Sequence, residues 1–106
     1  MLPRKAQRYA IQIPTYFTGE SLTGEGTIVN LSPEGCAILS KEHPRVSSYL
    51  SVRIDLSERE APLLIDLAAV RWLSDEKIGL EFIRMGEPEQ ERLRQFVKTL
   101  EVKPLR

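Results

Sequence analysis

Asn30-Leu31-Ser32-Pro33-Glu34-Gly35 is the stretch that decides the fold. Two β-like runs meet at it, Gly26-Thr27-Ile28-Val29 before it and Cys36-Ala37-Ile38-Leu39 after it. Asn and Ser side chains bond readily to backbone amides in turns, Pro33 fixes its own φ, and Gly35 tolerates a positive φ. The stretch therefore predicts a corner between two strands. An amide and a hydroxyl beside backbone N–H groups also suit an anion or a heterocycle edge, although the same pattern serves an ordinary turn.

A basic segment, Arg4-Lys5-Ala6-Gln7-Arg8, lies upstream of this corner. Its two arginines are four residues apart, which in an extended chain is a reach of roughly 13 Å at about 3.3 Å per residue. Each planar guanidinium donates bidentately to phosphate oxygens or a guanine edge and stacks on π-faces. The pair therefore predicts a clamp on one sizeable anionic ligand. The alternative is a solvated terminal tail, since residues 1–9 form an arm that we expect to be flexible until something orders it.

Composition bounds the class of protein without choosing it. The chain has 106 residues, with 15 basic and 15 acidic side chains, which indicates one domain and gives no reason to expect wholesale attraction to nucleic acid or to a membrane surface. The single cysteine, Cys36, fits a reducing compartment. No apolar run approaches the roughly 18 residues of a membrane span, and the first residues lack the apolar stretch of a signal peptide. We expect a cytoplasmic protein without membrane insertion.

Hydrophobic alternation with a period of two, together with a nearly continuous apolar run at 62–73 that indicates one long curved strand, predicts a mainly β domain with strands near residues 10–18, 25–31, 35–40, 50–56, 62–73 and 78–82. The plainest strand places Leu50, Val52, Ile54 and Leu56 on one face. Pro14 removes a ladder donor, which predicts an edge, a bulge or a rim at that position. Arg71 and Glu81 are expected on neighbouring outward faces.

Helical periodicity is confined to the end of the chain. Glu87-Pro88-Glu89 suits a first helical turn, because Pro is tolerated there and carboxylates complement the helix dipole. Leu93, Phe96, Val97 and Leu100 follow at helical spacing and form one apolar stripe. The stripe predicts a helix that docks on the strands or, alternatively, on a partner.

Few residues suggest catalysis or metal binding. The one histidine, His43, has no second histidine or cysteine at ligand spacing, so we expect neither a metal site nor an enzyme. Cys36 is expected to be a small buried hydrophobe. Trp72 near a strand end is usually a core residue, but an indole can also form the floor on which a purine base stacks.

Two of these motifs occur in sequence, Arg-x-x-x-Arg at Arg4 and Arg8 and then Asn-x-Ser-x-x-Gly at Asn30, Ser32 and Gly35. Their residues and their order resemble the PilZ family. Ala69-Val70-Arg71-Trp72 and Ile78-Gly79-Leu80-Glu81-Phe82 resemble the late strand pair of that family. The resemblance implies a six-stranded antiparallel β-barrel over residues 10–106 with a C-terminal α-helix, preceded by the arm at 1–9. It also implies that the protein binds the bacterial second messenger cyclic di-GMP, needs no cofactor, and signals to an unidentified partner protein.

On this resemblance the ligand contacts are Arg4, Arg8, Asn30, Ser32 and Gly35, with Trp72 as a possible secondary contact. Asn30 stands where the family also uses Asp, so this position lacks a carboxylate for the paired N–H donors of a guanine.

Two other functions remain open. One is a PilZ-like interaction domain that does not bind nucleotide, and the other is a small barrel that binds single-stranded nucleic acid, against which the balanced charge argues. The oligomeric state stays open as well.

Overall fold

The computed structural model describes the backbone of residues 9–101 and the side chains of residues 11–100. Its elements, in chain order, are β1 (Tyr9–Thr18), β2 (Thr23–Ser32), β3 (Gly35–Leu39), β4 (Tyr49–Ile54), β5 (Leu63–Ser74), β6 (Lys77–Arg84) and α1 (Glu87–Glu101). The six predicted strands and the C-terminal helix are confirmed, with strand bounds that differ from the predicted ones by at most two residues. Arg4 and Arg8 lie outside the described residues.

The strands close into one antiparallel barrel in the order β1-β2-β3-β6-β5-β4. Closure occurs between β1 and β4, where Thr15 pairs with Ile54 and Thr18 with Ser51. Pro14 lies one residue beyond this ladder, and its carbonyl accepts a hydrogen bond from the Asp55 N–H at 3.2 Å. The proline therefore sits where β1 leaves β4, as a residue without an N–H donor requires.

The barrel interior is filled by the residues that alternate inward along each strand. The largest fully buried side chains there are Phe17, Ile28, Leu31, Ile38, Ile54, Leu63, Ile65, Val70, Ile78 and Leu80. Cys36 is buried among them, as predicted. Thr15 is a polar residue buried among them, and its hydroxyl donates to the Arg53 carbonyl at 2.8 Å, so burying it leaves no unsatisfied donor.

The helix α1 docks on the barrel, which confirms the first of the two alternatives for its apolar stripe. Leu93 and Val97 are buried in the barrel core cluster, and Phe96 packs against it. Arg92 fixes the helix to the segment before β5, because its guanidinium donates to the Ala61 carbonyl at 2.6 Å and to the Pro62 carbonyl at 3.2 Å. Within residues 9–101, no helix is long and apolar enough to cross a membrane.

The turn that leads into β4 contains a strained residue. Ser47 has φ = 76°, and the Ser48 N–H donates to the Arg45 carbonyl at 3.0 Å, which is a type II turn with Ser47 at its third position. The Ser47 N–H also bonds to the Val70 carbonyl at 2.7 Å, while the Val70 N–H bonds to the Ser48 carbonyl at 2.9 Å. Ser47 and Ser48 thus both face Val70, which is a β-bulge with Ser47 as its first residue. A type II turn and a bulge of this kind both favour glycine where Ser47 stands.

We therefore expect Ser47→Gly to raise the free energy of unfolding by about 0.5–1 kcal/mol. Relief of about 1–2 kcal/mol of left-handed strain is partly offset by the greater entropy of glycine in the unfolded chain. Chemical denaturation measures the change. Ser21→Gly is the matched control, because Ser21 is also exposed in a loop but does not have a positive φ, so this variant should lose stability. A loss of stability in both variants would contradict the strain at Ser47.

Candidate functional site

The predicted corner is a tight hairpin between β2 and β3. Ser32 pairs with Gly35, which leaves Pro33 and Glu34 as a two-residue turn. Pro33, Glu34 and Gly35 all lack a positive φ. The positive φ that the sequence suggested for Gly35 is therefore not used, because Pro33 sets a turn with negative φ and Gly35 begins β3 as an extended residue.

The Ser32 hydroxyl holds this hairpin in shape. It accepts a hydrogen bond from the Glu34 N–H at 3.1 Å and lies 3.5 Å from the Gly35 carbonyl oxygen. The Glu34 carbonyl in turn accepts a hydrogen bond from the Phe82 N–H at 2.8 Å, which ties the hairpin to β6. The side chain of Ser32 is buried, so its position is fixed by the fold.

Two β-bulges decide which side chains share the outer face with this hairpin. Ile28 pairs with Ile38 but Asn30 pairs with Ala37, so Val29 is an extra residue in β2. Asn30 therefore lies on the outside of the barrel, although Ile28, two residues earlier, lies inside. In β5, Val70 pairs with Leu80 and Trp72 pairs with Gly79, which makes Arg71 the extra residue. A bulge redirects the side chains around it. Arg71 and Trp72 are consequently both exposed, although they are consecutive in a strand.

The register then places the four predicted site residues that the structure describes, Asn30, Ser32, Gly35 and Trp72, on one surface, the outer face of β2, β3, β6 and β5. One row across these strands contains Asn30, Ala37, Gly79 and Trp72, and the adjacent row contains Ser32, Gly35, Glu81 and Ala69. Asn30 and Trp72 are three strand spacings apart, or roughly 14 Å at about 4.8 Å per spacing. Small residues lie between them, and Ala37, Gly79, Gly35 and Ala69 are all buried. The exposed side chains of the two rows are Trp72 and Glu81, and Asn30 is half-buried.

Trp72 is a surface residue that covers a glycine. A Cβ atom on Gly79 would overlap Cε2, Nε1 and Cδ2 of the indole, so the ring lies directly over the Gly79 backbone. The side chain nevertheless remains 40% exposed. A tryptophan near a strand end is usually a core residue, but Trp72 is not part of the core. Its ring is available for stacking. Its part in ligand binding stays a prediction.

Because the ring covers Gly79, Gly79→Ala should displace it. We expect a loss of about 1–3 kcal/mol in the free energy of unfolding, as for other overpacked sites, and a red shift of fluorescence from the one tryptophan in the chain. Urea denaturation and emission spectra measure the two effects. Gly86→Ala is the control, because a Cβ there would meet nothing closer than Glu89 Oε1 at 3.6 Å. An unchanged spectrum in Gly79→Ala would contradict the contact.

Arg71 and Glu81 lie on neighbouring outward faces, as predicted, and form an ion pair. The Arg71 Nε donates to Glu81 Oε1 at 2.6 Å, and a terminal guanidinium nitrogen of Arg71 lies 2.6 Å from the same oxygen. Both side chains are about half exposed, so the pair adds at most about 1 kcal/mol to stability. Sequence reasoning did not place this pair at the candidate site. The available signal was the break in alternation after Val70, where two consecutive non-core residues follow a core one.

The beginning of β1 lies beside the hairpin. Tyr9 pairs with Leu31, and Ala10 pairs with Asn30. Arg8 is bonded directly to Tyr9, so the basic arm is attached next to Asn30 and Ser32. The described residues thus bring together Asn30, Ser32, Gly35 and Trp72 and fix the point from which the arm starts.

His43 is an exposed loop residue away from this arrangement. Across residues 9–101, no cluster of three or more His, Cys, Asp or Glu side chains has a metal-binding arrangement. What the outer face offers is an exposed aromatic ring, an amide, a carboxylate and a guanidinium. These groups suit recognition of a planar heterocycle with polar edges.

Comparison with known proteins gives one family and several similar folds. The family model of the PilZ domain matches residues 3–99. No curated protein matches the chain. Among solved structures, the chain is similar to the Bacillus subtilis inhibitor of motility MotI/DgrA, with 21% identity, a TM-score of 0.75, and coverage of 98% of this chain and 55% of that one.

Two further structures share the fold. Escherichia coli YcgR in complex with c-di-GMP is 14% identical with a TM-score of 0.76, over 92% of this chain and 46% of that one. The PilZ domain of CeSA from a cellulose-synthesizing bacterium is 16% identical with a TM-score of 0.71, over 90% of this chain and 98% of that one. The chain therefore spans about half the length of MotI/DgrA and YcgR and nearly all of the CeSA domain.

Proposed function

The chain belongs to the PilZ domain family, and from that membership we propose that it is a cyclic di-GMP receptor that signals to a partner protein. The observation that carries the proposal is the pairing of Tyr9 with Leu31. This pairing fixes the point from which the arm starts beside Asn30, Ser32 and Gly35, which supports the proposal that Arg4 and Arg8 bind the same ligand as the corner. The fold is shared with YcgR, which was solved with c-di-GMP bound.

The charges of the outer face support a role for the arm. On the two rows of this face, the described charged groups are Glu81 and, beside it, Arg71, which balance each other. A ligand with two phosphates needs additional cations, and Arg4 and Arg8 are the arginines nearest in sequence to the start of β1. Bidentate contacts from guanidinium groups to phosphate or to guanine are the strongest hydrogen bonds available to such a ligand.

In the proposed complex, each residue of the two motifs has its own role. Arg4 and Arg8 hold phosphates and guanine edges, and Asn30 and Ser32 contact the ligand from the corner. Gly35 lets the ligand approach the backbone closely, and Trp72 supplies a stacking surface. Fixing the arm over the ligand costs about 1–2 kcal/mol per ordered residue, and the charge-assisted contacts must exceed this total.

The partner reads the fixed arm as a new surface of the barrel. We propose a receptor without catalytic activity, located in the cytoplasm.

Isothermal titration of the purified protein with cyclic di-GMP tests the proposal, with GMP and a short single-stranded oligonucleotide as controls. Saturable binding at micromolar concentration or tighter, for the cyclic dinucleotide alone, is the expected result. Binding of the oligonucleotide that weakens steeply with salt would instead support the nucleic-acid alternative.

A protein-interaction domain that does not bind nucleotide is the second candidate. Two observations favour it, namely Asn30 at a position where the family also uses Asp and the engagement of the Ser32 hydroxyl within its own turn. Silence in the titration at tens of micromolar would support this function and direct the search toward protein partners of α1 or of a barrel face.

A further inference from the structure

Glu81 is a carboxylate at the centre of the outer face. It is the register partner of Gly35, at the β2–β3 hairpin. It also lies two residues along β6 from Gly79, the residue that the Trp72 ring covers, which is a separation of about 7 Å. A purine stacked on Trp72 would therefore have Glu81 near one of its edges.

Among the side chains that the structure describes, the carboxylate of Glu81 is held through one oxygen only. Both contacts from Arg71 fall on Oε1. Among residues 11–100, Oε2 takes no hydrogen bond, and the side chain is about half exposed. Arg71 has five N–H donors, of which the pair uses two nitrogens. Toward residues 11–100 the pair thus presents an acceptor and donors that those residues do not use, and the hydrogen bond from Phe82 to Glu34 holds β6 against the hairpin.

We infer that Glu81, oriented by Arg71, reads the Watson–Crick edge of one guanine of the ligand. This inference rests on the proposed function and adds the residue that determines base specificity. Guanine presents N1–H and the N2 amino group as neighbouring donors, and a carboxylate accepts from both. Its adjacent O6 accepts from a guanidinium such as that of Arg71. Glu81 supplies the carboxylate that Asn30 lacks.

Arg71 also offsets the electrostatic repulsion between Glu81 and the ligand. A carboxylate close to a ligand with two phosphates is repulsive unless its charge is neutralised and its oxygens are used. Arg71 neutralises it, and the bulge at Arg71 is what turns this side chain outward. An adenine in the same place would offer one amino donor and turn its N1 lone pair toward the carboxylate. Adenine is therefore disfavoured at this position.

The test compares cyclic di-GMP with cyclic di-IMP, whose bases lack the N2 amino group, and with cyclic di-AMP. Titration of the parent should show a preference for cyclic di-GMP over cyclic di-IMP of about 10-fold, the scale of one good base contact. Glu81→Gln should weaken cyclic di-GMP binding by about 10-fold, change cyclic di-IMP binding little, and bring the ratio of the two dissociation constants near one.

Asp55→Asn is the matched control. Asp55 is also a half-buried carboxylate paired with an exposed arginine, Arg53, at 3.1 Å, but it follows β4 away from the outer face. This variant should keep the parent ratio. Glu81→Asp is a second variant that keeps the charge but shortens its reach, and it should also lose the preference. Thermal denaturation verifies that each variant is folded.

The outcomes separate the two hypotheses. A parent that does not bind cyclic di-GMP overturns the proposed function, and the inference with it. A parent that binds cyclic di-GMP, together with Glu81 variants that keep the preference over cyclic di-IMP, overturns the inference alone. A uniform loss of affinity for all three ligands also overturns it, because a general electrostatic or structural effect would not depend on the N2 amino group.

Discussion

Arg8→Ala should weaken cyclic di-GMP binding by about 100-fold or more. Charge-assisted hydrogen bonds contribute about 1.5–3 kcal/mol each, and a loss of about 2.7 kcal/mol is a factor of 100 in the dissociation constant. Of the two arm arginines, Arg8 is the one bonded directly to Tyr9, which pairs with Leu31 beside the corner. In the proposed complex its guanidinium therefore needs the shorter length of chain to reach the ligand. Isothermal titration against the parent measures the effect.

Two further variants sharpen this experiment. Arg53→Ala removes an exposed arginine that lies over the Tyr16 ring on the β1–β4 side of the barrel, and it should leave binding unchanged. Arg8→Lys keeps the charge but loses the planar fork, so its affinity should fall between those of Arg8→Ala and the parent. Parent-like affinity of Arg8→Ala would remove the arm from the mechanism.

Leu93→Ala should lower the free energy of unfolding by about 3 kcal/mol, within the range of about 2–5 kcal/mol measured for buried Leu-to-Ala changes. Leu93 is 1% exposed and joins α1 to the barrel core. At about 4–8 °C per kcal/mol for a domain of about this size, the melting temperature should fall by about 12–24 °C. Differential scanning calorimetry measures the change.

Leu64→Ala is the control for this variant, because Leu64 is the same residue type on the outside of β5 and is 50% exposed. It should cost less than about 1 kcal/mol. Similar losses in the two variants would show that α1 contributes little to the core and would make its apolar stripe available to a partner.

The strands were predictable wherever a strand follows strict alternation. Leu50, Val52 and Ile54 alternate without interruption, and all three are buried. The helix was equally predictable, since Leu93 and Val97 at a spacing of four form its buried stripe. In both cases the period of the element decides which side chains are buried, so local sequence is sufficient.

The site was less predictable because bulges interrupt the alternation. Strict alternation would place Asn30 inside with Ile28, and Arg71 and Trp72 on opposite faces. The extra residues at 29 and 71 change both assignments, and they depend on the register in which β2 pairs with β3 and β5 pairs with β6, which the pattern of a single strand does not determine. For the same reason the sequence predicted the pair of Arg71 and Glu81 but not its position between Gly35 and Trp72.

In the proposed complex, the pairing of Tyr9 with Leu31 makes the arm an intramolecular ligand clamp. A tether this short holds its attached groups at an effective concentration in about the millimolar range. Affinity for the ligand should therefore be independent of protein concentration, whereas a separate peptide with the sequence of residues 1–8 would need about millimolar concentrations to restore binding to a protein that lacks them.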